Sequence, residues 1–321
     1  MSMGVDVQKE TYPPLLDCDL RSKGNSFNMT NKVNGFMCQI VRRLLYGRRY
    51  YIDLIHVDNL LLSPERIHYF FFSGLLSSIE EALTKEARKH SATSLVHLKT
   101  ISFSICKITS AGLLILLAAL STKPGHQVTC LDVSYNLLTE SSFFCLTQCL
   151  PLTNLTMLSL RGNNCHGETS NTFRELLLEG FISLEEIDLG WTDLTYKQIC
   201  VLIECIPQMK KMHVLLLDGL TIPIEKTTAI TKAVSMSHLF HVSFYGCVNC
   251  QSPIFLQRIK DICDANREAC TQHEWHNRES YLTSLFKISA ERGVTPPSMS
   301  ALPAGYGPFT TNDPSLREAE F

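Results

Sequence analysis

The stretch LTMLSLRGNNC occupies Leu155 to Cys165. Leu158 and Leu160 are two residues apart, a spacing that points both side chains to one face of a strand. Asn163 marks the bend where backbone groups leave the strand and need new hydrogen-bond partners. One such stretch is weak evidence, but this one recurs. Equivalent starts fall at Leu98, Val128, Leu155, Leu184, Met212 and Leu239, separated by 30, 27, 29, 28 and 27 residues. The strand cores are LKTISFSICKI, VTCLDVSYNLL, LTMLSLRGNNC, LEEIDLGWTDL and MHVLLLDGLTI, with a sixth, LFHVSFYGCVN, degraded at its end.

A second signal follows each of the first five strands. Two apolar residues lie four apart, on one helical face: Leu116 and Leu120, Leu146 and Leu150, Phe173 and Leu177, Leu202 and Ile206, Ile230 and Val234. Every pair has the same offset from its unit's start. At 45% hydrophobic composition such agreement arises by chance roughly three times in ten thousand. The period thus switches from two to about 3.6 inside each unit, which gives a strand and then a helix.

From Leu98 to Cys263 the chain resembles the leucine-rich repeat family, in its long, ribonuclease-inhibitor-like form. The resemblance implies an α/β solenoid, with a curved parallel sheet on the concave side and helices on the convex side. It also implies a ladder of side-chain to backbone bonds at the turn after each strand. It says almost nothing about activity. The turn position holds Asn136 and Asn163, but Cys106, Thr192 and Cys247 in other units and Leu220 in the fifth. Leucine cannot make the ladder bond, so an irregularity is expected between Gly219 and Pro223. In the sixth unit Gln257 and Asp261 stand where the helical pair should be, so that helix is expected to bury Phe255, Ile259 and Ile262 instead.

A single unit cannot bury its own apolar face; units must stack, and the ends need covers. The expected organisation is an irregular extension over 1–39, an N-terminal cap or divergent first repeat over 40–97, about six repeats over 98–266, a capping helix over 267–289, and a tail over 290–321. In the cap, Ile52 and Leu54 mimic a strand pair, and Ser63 and Pro64 open a helix. The capping helix would carry Tyr281, Leu282, Leu285 and Phe286. The tail is rich in Pro, Gly and Ser without a period, and is expected to be disordered unless a partner orders it. Tyr306 and Phe309 are its candidate docking residues.

Composition narrows the function. With 29 basic and 31 acidic residues among 321, the net charge of −2 offers no broad attraction to RNA or to an anionic membrane. The opening residues, MSMGVDVQKETYPP, lack the apolar run of a secretory leader, and the best apolar run, Leu113 to Leu120, is too short to span a bilayer. The 13 cysteines are scattered, many at core positions, which fits a cytoplasmic, reducing setting.

On the concave face the residues between the buried pairs should project outward. Candidate partner-binding residues are Asp132, Tyr135, Arg161, Glu186, Asp188, Trp191, Asp218 and Tyr245. Carboxylates and aromatics together suit a basic peptide or helix. Against this stands the plain alternative that small acidic residues merely solvate an exposed strand. A weak zinc candidate is Cys247, Cys250, Cys270 and His273, although Cys247 already fills a turn position. His273 to His276 reads HEWH, too short for HExxH, and no phosphate loop, nucleophile elbow or dinucleotide fingerprint occurs. The basic run RRLLYGRRYY, Arg42 to Tyr51, suits a solvated cap face or an acidic protein better than RNA. No catalytic residues, cofactor or small-molecule substrate are expected.

These features lead to a non-enzymatic scaffold that holds other proteins, as a subunit of a larger assembly; a ciliary axoneme complex is a family-level precedent. An adaptor of a ubiquitin-ligase type would need an F-box, and residues 1–48 are too short and polar for one. A small-GTPase regulator is the third possibility, with no residue that supports it strongly.

Overall fold

The computed structural model describes residues 61–68, 99–123, 125–167 and 170–270, and the backbone of 54–58. Seven strands form one all-parallel sheet, and they lie in the order of the chain. They are β1 (Leu54–Asp58), β2 (Thr100–Ser104), β3 (Cys130–Asp132), β4 (Met157–Ser159), β5 (Glu186–Asp188), β6 (Val214–Leu216) and β7 (His241–Ser243). Between and after them run α1 (Pro64–His68), α2 (Ser110–Leu120), α3 (Ser141–Cys149), α4 (Ser170–Glu175), α5 (Tyr196–Cys205), α6 (Thr227–Ser235) and α7 (Pro253–Ala269). Consecutive helices pack on one another in the same sequence as the strands.

The even spacing of the apolar pairs becomes register. Ile101, Leu131, Leu158, Ile187, Leu215 and Val242 stand side by side across β2 to β7. The first five are fully buried and join the helical pairs in a single apolar cluster that runs from Leu62 to Cys263. Each such leucine or isoleucine contributes about 2 kcal/mol by leaving water. Differences in unit length fall after the helical pair. The unit starting at Leu155 holds two more residues between Leu177 and Leu184 than its predecessor holds between Leu150 and Leu155, and its helix ends there in a π-turn, Leu176–Gly180.

The turns carry the expected side-chain bonds where asparagine is present. Asn136 Oδ1 accepts from the amides of Cys106 (2.9 Å) and Ile108 (3.0 Å), and its Nδ2 donates to the carbonyls of Phe103, Val133 and Ser134. Asn163 repeats the arrangement one unit on, accepting from Asn136 and Leu138 and donating to Val133, Leu160 and Arg161. Thr192 reaches only Leu189 O within its own turn. Leu220 is buried and makes no side-chain bond; Cys247 Sγ, from the next unit, donates to Leu217 O instead. A 3-10 turn at Ile224–Lys226 then precedes α6. Helix starts add further ties: Thr195 and Gln198 form a capping box on α5, and Gln198 Nε2 also donates to Cys165 O in the preceding unit.

Three details differ from the sequence expectation: a strand register, a helix boundary and a burial pattern. In β1 the register positions opposite Ile101 and Phe103 belong to Ile55 and Val57, not to the Ile52 and Leu54 pair. Strand pairing with β2 sets this, and the pairing partner is not visible in a local pattern. The last helix, α7, continues without a break to Ala269, so Arg267 lies inside it and does not open a separate capping helix. α7 does bury Ile259, but its other fully buried side chain is Cys263, one position from Ile262; Phe255 and Ile262 are half-buried, and Gln257 and Asp261 are exposed. Residues 271–289 and the tail with Tyr306 and Phe309 lie outside the described residues.

Candidate interaction surface

The sheet's second face is formed by the alternate strand residues: Thr100 and Ser102, Cys130 and Asp132, Met157 and Ser159, Glu186 and Asp188, Val214 and Leu216, His241 and Ser243. These positions were expected to meet solvent. From β2 to β6 they do not: only Asp132 is partly exposed, and Glu186 and Asp188 are fully buried. On β7 the face opens, with His241 exposed and Ser243 half-buried. Cys130, Met157, Val214 and Leu216 form an apolar cluster of their own, separate from the helix-side core.

The carboxylates of this face are largely engaged inside the chain. Arg161, itself buried, donates from Nε to Asp188 Oδ2 (2.7 Å) and from Nη2 to Asp218 Oδ2 (2.6 Å). Asp188 Oδ1 accepts from the Gly190 amide, and Asp218 Oδ1 from the Tyr245 amide and the Ser243 hydroxyl. Asp132 accepts from Ser102 Oγ and from the Ser134 amide. Asp188, Asp218 and Arg161 therefore make a closed ion triad across three units and do not offer charge to a basic peptide. Burial works against the Arg161 charge, but the two carboxylates outweigh it and keep the guanidinium cationic. Burial pushes the Asp188 carboxyl up to about 6, against the pull of Arg161. A carboxyl raised on folding is more readily protonated in the folded chain, so its share of stability grows as pH falls from 7 towards 5. Relative to Asp188→Asn, the wild-type chain is expected to gain roughly 1 kcal/mol of unfolding free energy between pH 7 and pH 5, measured by urea denaturation at both values.

A rim of aromatic rings follows the C-terminal ends of the strands. Tyr135 and Trp191 both sit at positive φ, 53° and 57°, in the turns after β3 and β5. The ring of Tyr135 lies over Gly162, and that of Trp191 over Gly219; a methyl group at either glycine would meet the ring at 2.3 Å. Both glycines also have positive φ, so two separate constraints select glycine there. Trp191 extends further, towards Gly246, whose neighbour Tyr245 is 75% exposed. Val248, in the same loop, is equally exposed. Of the eight expected residues, then, Tyr135, Trp191 and Tyr245 share this rim, Arg161, Asp188 and Asp218 share the buried triad, Asp132 is tied to Ser102, and Glu186 is buried on the second face.

Other chemistry is sparse. Cys247 and Cys250 are buried, and burial raises their thiols to about 12 and about 11, which favours the neutral form. Cys270 lies at the far end of α7, and His273 is outside the described residues. Among the described residues no three His, Cys, Asp or Glu side chains come close enough to share a metal ion. Eleven cysteines lie among the described residues, and no disulfide joins any two of them. A shallow cleft before β4 to β6, about 570 Å³ in volume, is lined by Thr156, Ser183, Glu185, Lys210, Lys211 and His213 among others and assembles no nucleophile with a base. No described helix is long and apolar enough to cross a membrane.

Neither protein-family models nor curated proteins gave a match to this chain. What the chain does must therefore be argued from its own residues. Sequence reasoning passed over the second-face cluster and Val248. A signal existed for the first: VLLL, Val214 to Leu217, is apolar at consecutive positions, the mark of a strand buried on both faces rather than one.

Proposed function

We propose that the chain is a leucine-rich repeat solenoid of the long-repeat type and serves as a non-catalytic scaffold, holding a protein partner within a larger assembly such as a ciliary axoneme complex. The equal unit offsets, the chain-order parallel sheet and the asparagine ladder support the architecture. The observation that carries the function is the rim of Trp191, Tyr245 and Val248. The Trp191 ring is braced over the backbone of Gly219 and Gly246, so it presents contact area with little further ordering on binding, and Tyr245 and Val248 stand exposed beside it. The partner docks at this rim rather than on the acidic side chains, which are spent inside the chain.

The test is recovery of co-purifying proteins with the tagged full chain. Tyr245→Ala combined with Val248→Ser is expected to lower recovery of the principal partner by about tenfold, since exposed anchors of this kind carry most of an interface's energy. The melting temperature should stay within about 2 °C, because both side chains are largely in solvent. Undiminished recovery from a normally folded variant refutes the rim as the docking site.

A further inference from the structure

The two ends of the strands carry different charge. The segments that leave the strands, which build the aromatic rim, mix both signs: Lys107, Arg161 and Lys226 stand beside Asp193, Asp218 and Glu225. The segments that lead from helix to strand do not. Residues 121–129, 152–156, 181–185, 209–213 and 236–240 hold three lysines and three histidines against a single carboxylate, Glu185. Because the parallel strands lie in chain order, all these segments line up along one side of the sheet. Neighbouring segments touch there: Asn154 Nδ2 donates to His126 O, and His213 Nδ1 meets His238 O at 3.2 Å. The basic bias is therefore gathered on one surface rather than scattered along the chain.

The cleft of about 570 Å³ lies within this surface, and its lining sets Lys210, Lys211 and His213 against Glu185, so it stays net positive. Both lysines are exposed, and neither forms an ion pair with a described residue. Lys210 Nζ donates one bond to Pro207 O, which leaves two of its hydrogens for another acceptor. The hydroxyls of Thr153, Thr156 and Ser183 already donate to the carbonyls of Leu150, Thr129 and Leu155. Recognition here falls to charge, then, more than to hydroxyl donors. Leu152 and Ile182 flank the cleft, each immediately before a lining residue, and are 63% and 60% exposed. Two aliphatic side chains beside two ammonium groups complement a peptide in which carboxylates alternate with apolar residues. A nucleic acid fits less well: the lining has no aromatic ring for bases apart from His213, which already stacks on Phe240 at 4.5 Å.

We infer that this cleft binds an acidic, partly apolar peptide segment of a partner protein, with Lys210 and Lys211 meeting its carboxylates and Leu152 and Ile182 its apolar side chains. The chain then holds ligands at both ends of its strands, at the aromatic rim after them and in the basic cleft before them. This inference does not depend on the rim proposal, because it concerns different residues on a different surface.

The test is selection of random peptides displayed on phage against the immobilised full-length chain, with the Lys210→Glu, Lys211→Glu double variant as the comparison. Peptides enriched on the wild type and lost on the variant should be rich in Asp and Glu around Leu, Ile or Phe. The leading peptide, synthesised with a fluorescein label, should lose at least about tenfold in affinity for the charge-reversed chain by fluorescence anisotropy, and about threefold for Leu152→Ser combined with Ile182→Ser. Raising salt from about 0.05 to about 0.3 M should weaken binding several-fold, since the lysines are in solvent. Tyr245→Ala with Val248→Ser should leave the affinity unchanged, which separates this site from the rim. Melting should be unaltered by the lysine changes, because both side chains are exposed. A consensus without acidic residues, or equal affinity for the charge-reversed chain, overturns the inference. Displacement of the peptide by an equal concentration of oligouridylate also overturns it, by showing a surface for phosphate backbone instead.

Discussion

Replacing Arg161 with methionine is expected to destabilise the fold by about 3–5 kcal/mol, the range for removing one partner of a buried ion pair. Methionine retains much of the aliphatic stem, so the loss isolates the guanidinium. That group makes two short, charge-assisted bonds, one to Asp188 across 27 positions of sequence and one to Asp218 across 57. Without it two carboxylates remain close together, Asp188 with no exposure and Asp218 with little. Burial already raises the Asp188 carboxyl, and removal of the cation raises it further. The deficit should therefore shrink as pH falls from 7.5 to 5, when a proton takes over part of the arginine's role. Urea denaturation of Arg161→Met at the two pH values checks both parts. Adding Asp188→Asn should recover at least about half of the loss at pH 7.5, because the remaining Asp218 still has the Tyr245 amide and the Ser243 hydroxyl. A deficit below about 1 kcal/mol would mean that water reaches the triad and that the pair behaves as a surface one.

Asn136→Ala is expected to cost about 3 kcal/mol, chiefly through groups it leaves behind. The amides of Cys106 and Ile108 lose their acceptor and become the orphans, while the carbonyls of Val133 and Ser134 each lose one donor but keep another, from Asn163 Nδ2 and the Ile105 amide. Each buried orphan costs about 1–3 kcal/mol, less whatever water can enter, so the sum is well above that of one ordinary hydrogen bond. The residue lies in the turn after β3 and ties it to the turn after β2, so the damage should spread to the N-terminal units. Hydrogen exchange is the direct check: the Cys106 and Ile108 amides should lose protection while those of α5 and α6 keep theirs. Uniform loss of protection would show that the units unfold only together.

The contrast between these two residues explains how much of the molecule was legible in the primary structure. Asn136 announced itself because its role is local. It closes a turn at a fixed offset from a strand, and Asn163 repeats that offset one unit later. The apolar pairs were legible for the same reason. Leu131, Leu158, Ile187 and Leu215 occupy matching offsets and stand in adjacent register, all without exposure. The substitution of leucine at 220 was likewise readable as a break in the ladder, and the bond at that turn indeed comes from Cys247 of the next unit. Where pairing rather than period sets the register, as in β1, the pattern misled by pointing to Ile52 and Leu54.

Arg161 gave no such signal. Its offset from the strand is shared with Asp218 and Ser134, and alternation alone assigns all three to solvent. Glu186 and Asp188 were misjudged in the same way. A carboxylate on an alternating strand usually faces water, and nothing nearby in sequence announces a cover. Trp191 was picked out as an aromatic on a polar face, but not the support beneath it, because Gly219 and Gly246 belong to the two following units.

The order of strands and helices, the choice of which side chains enter the helix-side core, and the in-step register from β2 to β7 all followed from residue spacing, since periods of two and 3.6 are properties of neighbouring residues. The fate of the polar side chains was decided by the tertiary structure alone. Arg161 finds its partners one and two units away, and Glu186 is buried although strand alternation assigns it to solvent. Burial and charge pairing are sums over spatial neighbours, and those neighbours are distant along the chain.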